Sequence, residues 1–312
     1  MSSSQLDDNF LLARKTQALS LRAVLIQNIR QFFIQHHFLE IETSLRIPSP
    51  APEEHIEAIP SGDWFLQTSP ELCMKRLLAA GYPRIFQISK CFREAERGSK
   101  HLPEFTMLEW YVAQFDYYQL MEQCEAMLIT ALKDMGHTQD IIWQNNKINL
   151  TSPWERISVA DAFSKYAPTG LQEALHQDRF DEILVEYIEP RLGIDRPTFI
   201  YDYPAKLASL AKIKKSDPNV AERFELYIGG LELANGFSEL TDAREQRQRF
   251  EEALELRAAK NWACYAMPEK FLTALEHLPP CAGIALGIDR LAMILANADK
   301  IDDVVAFTPE TL

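Results

Sequence analysis

The sequence predicts an α+β fold built on an antiparallel sheet with helices outside it. Three observations carry that prediction. RIFQISKCF (84–92) and EFTMLEWYVA (104–113) read as strands joined by a polar loop over 94–103. AERFELYIGGLELANGFSEL reads as a hairpin turning at Gly229-Gly230. Segments of helical period flank these strands, and hairpins with helices outside them argue against a doubly wound parallel sheet.

Each element follows from local chemistry. Residues 10–37 read as one long helix, because Leu21, Leu25, Ile29, Phe32 and Phe33 recur at helical spacing. FLEIET follows as a short alternating strand. Residues 44–62 contain Pro48, Pro50, Pro52, Pro60 and Gly62 and read as a loop, and WFLQT as another strand. Ser69-Pro70 is a helix start, a capping hydroxyl followed by proline at the first helical position, for a helix running to about Gly81. Helices are expected over 117–135, 158–166, 174–189 and 242–259. PTFIYDYP reads as a strand and GIALGIDRLAMIL as a strand running into a helix. There is no internal repeat and no low-complexity linker.

Composition narrows the function. Of 312 residues, 47% are apolar, enough for a substantial core, and 25% are charged, with no disordered segment. Apolar runs such as GIALGI fall far short of the roughly 20 residues of a membrane span. MSSSQLDDNF lacks the basic start and apolar stretch of a signal peptide, which points to the cytoplasm. The five cysteines form no C-x-x-C pair and are odd in number, the pattern of reduced thiols and not of a zinc site. A net charge of −13 counts against extensive contact with nucleic-acid phosphates, and the one basic tract is KIKK at Lys212–Lys215.

Three segments carry unusual chemistry. Strand alternation puts Phe105, Met107, Glu109 and Tyr111 on one face, with Leu108, Trp110 and Val112 on the other as the better core candidates. A half-solvated sheet face with a scattered charge fits that strand equally well. In the hairpin, a two-residue turn opposes Tyr227 to Glu232, so Glu225 and Glu232 become diagonal neighbours within reach of one cation. Asn235, Phe237 and Glu239 have the opposite parity and join that face only through a β-bulge, with Gly236 nearby. An exposed polar hairpin is the alternative, against which stands the aliphatic company of these carboxylates. In GIALGIDRL, Gly287 admits a close backbone or ligand approach, and Arg290 opens the next helix, where a guanidinium can stack on a base and pair with phosphate.

Together these segments resemble class II aminoacyl-tRNA synthetases. FRE…HLPEFTMLEWY looks like motif 2, GIALGIDRL like motif 3, and IRQFFIQHHFLEIET like motif 1, the dimer-forming helix and strand. TSPELCMKRLL, PEFTMLEWY, PTFIYDYPAKLASLAK and ERFELYIGGLELANGFSELTDA are most similar to lysyl-tRNA synthetases, over roughly 15–312. The resemblance implies one catalytic domain over 1–312, with about 114–195 a mostly helical insertion and no OB-fold anticodon-binding domain. That truncated, acidic form is similar to the bacterial synthetase paralogues that ligate (R)-β-lysine to elongation factor P. Ala285, where lysyl-tRNA synthetases usually have glycine, fits the paralogues.

The resemblance implies an AMP-forming ligase that is cytoplasmic and homodimeric, uses ATP with Mg2+, takes (R)-β-lysine or lysine, transfers it to elongation factor P and needs no tRNA. Arg93 would hold the α-phosphate and the substrate carboxylate. Phe105 and Arg290 would sandwich adenine, and His101 would lie near the outer phosphates. Glu232 and Glu225 would bind magnesium. Ser69, Pro70, Glu71, Tyr111 and Glu239 would recognise the amino acid in a pocket also lined by Glu109, Asn235, Phe237 and Ala285. Leu233 and Gly287 would touch ATP through backbone. Three positions depart from the pattern. Glu94-Ala95, expected at the ATP site, stand where motif 2 usually has Asn-Glu, so the usual carboxylate is absent unless Glu94 or Glu96 replaces it. Leu102 stands for an asparagine and offers adenine only its backbone. Ser44 replaces a motif 1 proline. The rival functions are tRNA charging and a degenerate, non-catalytic regulatory role.

Overall fold

Alternating strands pair into one eight-stranded sheet in a computed structural model that describes residues 8–54 and 56–312. Residues 1–7, the start of the stretch read above for a signal peptide, lie outside the described residues. The strands run in the order Leu39–Glu40, Arg84–Phe92, Glu104–Ala113, Cys281–Gly287, Leu231–Ser238, Val220–Ile228, Thr198–Pro204 and Glu155–Ser158. Both edge pairings are parallel and the inner ones antiparallel. The α+β expectation is met.

One face of this sheet builds the main core. Leu108, Trp110, Ile284, Leu286, Phe224 and Leu226 pack there against the helices Thr16–Gln35, Tyr117–Lys133 and Ile288–Ala296. Fully burying Trp110 or Phe33 contributes about 2–3 kcal/mol each. The opposite parity is thereby left for the other face, where the polar residues gather.

The hairpin turn is at Gly229-Gly230, with φ of +61° and +72°. Two successive left-handed residues make the tight turn that matches strand twist. A side chain at Gly229 would also meet the Trp143 ring, 2.2 Å from the Cβ position.

Two expectations are corrected. The first long helix is two, Asp8–Arg14 and Thr16–Gln35. The Thr16 hydroxyl donates to the Ala13 carbonyl at 2.7 Å and the Lys15 ammonium to the Val305 carbonyl at 3.1 Å, which bends the chain between them. The helix expected over 174–189 is interrupted. Leu171–His176 ends in left-handed Asp178, Phe180–Ile183 starts anew, and Pro190 lies in the closing turn. The segment 114–195 also contains strands, a ribbon of Asp140–Trp143 with Asn146–Asn149 and the sheet-edge strand Glu155–Ser158.

The helix Ala243–Ala259 is capped by Asp242, whose carboxylate accepts from the N–H groups of Arg244 at 2.8 Å and Glu245 at 3.1 Å. Among the described residues, no helix is long and apolar enough to cross a membrane.

Candidate active site

Register across five strands of the sheet builds the site. Gln87, Glu109, Ala285, Asn235 and Glu225 oppose one another in a row across the sheet. One step along the strands lies a second row, Tyr111, Gly283, Phe237 and Arg223. Antiparallel partners share a face, so both rows point away from the core. The required bulge exists, at Leu233 and not at Gly236: Tyr227 pairs with Glu232, while Leu226 pairs with Ala234. The extra residue brings Asn235 and Phe237 onto the face of Glu225 and Glu232.

These rows floor a cavity of about 790 Å³, within the range of ligand sites. Arg93, His101, Leu102, Phe105, Gly287 and Arg290 line one part of it, with Glu225, Glu232 and Leu233 from the hairpin. Ser69, Glu71, Glu109, Tyr111, Asn235, Phe237 and Ala285 line another. The two halves of the expected site, anion-binding and amino-acid-binding, thus share one space.

At the amino-acid end the carboxylates are held firmly. Ser69 donates to Glu109 Oε1 at 2.6 Å and Tyr111 to Oε2 at 2.8 Å. The Ser69 oxygen also accepts from the Glu71 N–H at 3.0 Å, at the start of the helix Glu71–Ala79. Burial pushes the Glu109 carboxyl up to about 7, and nearby Glu71 adds to the rise. Within that helix, Lys75 donates to Glu71 Oε1 at 2.5 Å and is ion-paired with Glu239. Burial opposes the Lys75 charge, but Glu239 and Glu71 outweigh it and raise its pKa. Burial also keeps the Glu239 carboxyl above its ordinary range, since one ammonium cannot compensate Glu71, Glu109 and Glu239 together.

Glu239 is not among the side chains that face the cavity. It lies just beneath, against cavity-lining Gly283, whose missing Cβ would stand 2.5 Å from Glu239 Oε1 and 2.2 Å from the Tyr111 ring. Oε1 is buried and accepts no hydrogen bond. Only glycine leaves room there for both groups.

At the other end, Arg290 donates from Nη1 to the Glu232 carbonyl at 2.8 Å and to its carboxylate at 3.2 Å, and it bonds to the His101 ring. Burial, then the Arg290 charge, lowers the His101 pKa. The guanidinium lying over Phe105 belongs to Arg93, 5.2 Å from the ring centre, and its buried Nε has no partner. Glu225 takes bonds from Arg223 at 2.7 Å, Tyr203 at 2.6 Å and Tyr227 at 2.8 Å. Burial and then the Glu232 charge raise its pKa.

Besides Glu239, three expected residues do not reach the cavity. Glu94 is exposed and its N–H is spent on the Glu57 carbonyl at 2.8 Å; Ala95 is an exposed, left-handed turn residue; Pro70 is buried beside the helix start. Glu96, the other carboxylate considered for that position, does line the cavity, 3.5 Å from Arg93. Lys75, Arg223, Tyr203 and Glu53 were not singled out from the sequence. A lysine at the fully buried position of TSPELCMKRLL, four residues after Glu71, was the available signal for Lys75, and strand parity with Glu225 that for Arg223. Glu53 lies in a proline-rich loop with no periodicity to mark it.

Comparison with known proteins identifies the family. A family model described as tRNA synthetases class II (D, K and N) matches residues 5–311. Three similar relatives carry the name elongation factor P–(R)-beta-lysine ligase. That of Hamiltonella defensa is 40% identical over 306 residues, 93% of this chain and 94% of the relative. That of Pectobacterium carotovorum is 41% identical over 309 residues, 93% and 94%. That of Proteus mirabilis is 40% identical over 303 residues, 92% and 93%.

Proposed function

The chain belongs to the class II tRNA synthetase family, and from that premise we propose that it is an AMP-forming ligase that activates (R)-β-lysine, or lysine, and transfers it to a lysine side chain of elongation factor P. The observation that carries this reading is the acidic group of buried Glu109 and Glu239 and partly buried Glu71 around the Lys75 ammonium, beside an arginine-lined anion end in the same cavity. Such an excess of negative charge suits a substrate with two ammonium groups.

Arg93, with its unpartnered Nε, would hold the α-phosphate and the amino-acid carboxylate together. The carboxylate oxygen attacks the α-phosphorus, pyrophosphate leaves, and an aminoacyl adenylate forms. No protein nucleophile is required, and catalysis rests on positioning and charge neutralisation by Arg93 and Arg290. Phe105 offers the adenine one stacking face, and Leu233 and Gly287 offer backbone. Glu71, Glu109 and Tyr111 would take the near ammonium, and the free Oε1 of Glu239 the far one. A buried carboxylate oxygen without a donor is costly, which favours a ligand contact there.

The Glu225–Glu232 pair fits a magnesium ion arriving with the nucleotide. The two carboxylates repel each other, Glu232 is partly open, and Mg2+ is usually held by one or two carboxylates plus phosphates. Bound there, it would neutralise phosphate charge. Glu232 is the nearer ligand, since the Glu225 oxygens already accept from Arg223 and two phenols.

Motif 1, with exposed Val24, Ile34 and Leu39 on the helix and edge strand, supports a homodimer. The net charge of −13 favours a protein acceptor over tRNA. A cytoplasmic location follows from those partners. ATP–pyrophosphate exchange that depends on a lysine isomer tests the reading, and its absence with both isomers would favour the non-catalytic rival.

A further inference from the structure

Transfer to a lysine side chain needs a base, because the acceptor arrives as an ammonium. The carboxylates on the cavity floor are committed elsewhere. Glu109 accepts from Ser69 and Tyr111, Glu71 from Lys75, Glu225 from Arg223 and two tyrosines, and Glu232 from Arg290. Glu53 differs. It lines the same cavity from the segment between two short strands, Arg46–Ile47 and Pro60–Ser61, that interrupt the expected loop, and it is half-buried. Among the described residues its side-chain bond is long, 3.4 Å from the Ser209 hydroxyl to Oε2.

Arg257 anchors the backbone at Glu53 and Ile56. Arg257, fully buried, donates to the carbonyls of Glu53 at 2.7 Å and Ile56 at 3.0 Å, and to the Glu57 carboxylate at 2.7 Å. Arg249 fixes the facing Ser209 by its carbonyl at 2.7 Å. A weakly engaged carboxylate on a clamped backbone is the arrangement a proton acceptor needs.

We propose that Glu53 is the general base of the transfer step, taking a proton from the attacking amine of the acceptor lysine. The inference rests on the ligase reading above. The ε-ammonium gives one proton to the Glu53 carboxylate, and its nitrogen forms the C–N bond to the adenylate carbonyl carbon. The C–O bond to AMP breaks with its electron pair on the phosphate oxygen, and the second nitrogen proton passes to water. The charged groups that act on Glu53 are Glu71, Arg93 and Arg223. Burial, then Glu71, pushes its carboxyl up to about 7 against the two arginines, a value suited to proton transfer near neutral pH.

The test compares Glu53→Gln and Glu53→Asp with the parent chain from preformed adenylate, using two acceptors: elongation factor P, whose lysine must lose a proton, and hydroxylamine, which is already neutral near pH 7. A general base contributes typically 10²–10⁴-fold. Glu53→Gln should therefore slow protein transfer at least roughly tenfold more than hydroxylamine capture. It should also abolish the rise of the transfer rate through about pH 7, which Glu53→Asp retains. Equal slowing with both acceptors, or an unchanged pH profile in Glu53→Gln, overturns the assignment. Absence of pyrophosphate exchange in the parent chain overturns the ligase reading itself, and the base with it.

Discussion

Lys75 and Glu239 form an ion pair in which neither side chain reaches solvent. Breaking a buried pair from one side leaves an uncompensated charge, which costs about 3–5 kcal/mol. Lys75→Ala should lower stability by about that amount in chemical denaturation. Glu239→Gln leaves Lys75 paired with Glu71, so it should lose less stability but most lysine-dependent pyrophosphate exchange. Equal stability losses would make Glu239 a structural partner only.

Arg93→Lys should not restore what Arg93→Ala loses. A planar fork can bridge a phosphate and a carboxylate, whereas an ammonium is a point charge. Most of the exchange rate returning in Arg93→Lys would reduce Arg93 to bulk electrostatics.

Ala285→Gly should shift preference from β-lysine toward α-lysine. Ala285 opposes Glu109 on one side and Asn235 on the other and lines the cavity floor, so its methyl borders the substrate. The two isomers differ in amine position by one carbon, a difference worth roughly 1–3 kcal/mol of discrimination. The measurement is the ratio of kcat/KM for the two isomers in exchange. An unchanged ratio removes Ala285 as the discriminator.

Glu109 should make stability and binding depend on pH in opposite senses. Its native carboxyl holds a proton up to about 7, against an ordinary 4.5. A raised carboxyl contributes stability fully below 4.5 and loses it as pH rises through about 7. Urea midpoints should therefore fall more steeply with pH in the parent than in Glu109→Gln. A substrate ammonium favours the ionised form, so lysine binding near pH 6–7 should release protons, read as buffer-dependent heats. Proton uptake would contradict the assignment.

The side chains that share a face within each strand were legible because strands of period two leave little freedom. Phe105, Glu109 and Tyr111 share the face their alternation assigned, and Trp110 lies in the core. The need for a bulge was legible too, from the mismatched parity of Glu232 and Asn235, but its position was not. Leu233 bulges without a glycine, and the strand pairing fixes the place. Lys75 and Glu53 were missed for different reasons. Lys75 sits on an apolar helix face where charge compensation comes from Glu239, distant in sequence. Glu53 is presented by a loop held by Arg257, about two hundred residues away in the chain, and no local pattern encodes such a clamp. Glu94 and Ala95 were assigned by alignment of motif 2 alone, and the turn at left-handed Ala95 directs them outward.

The most direct test is intact mass of elongation factor P after incubation with the chain, ATP and each lysine isomer. Attachment of one lysine-derived residue to a lysine of the acceptor, dependent on ATP and greater with (R)-β-lysine, is the predicted result. An unmodified acceptor alongside lysine transferred to tRNA would contradict it.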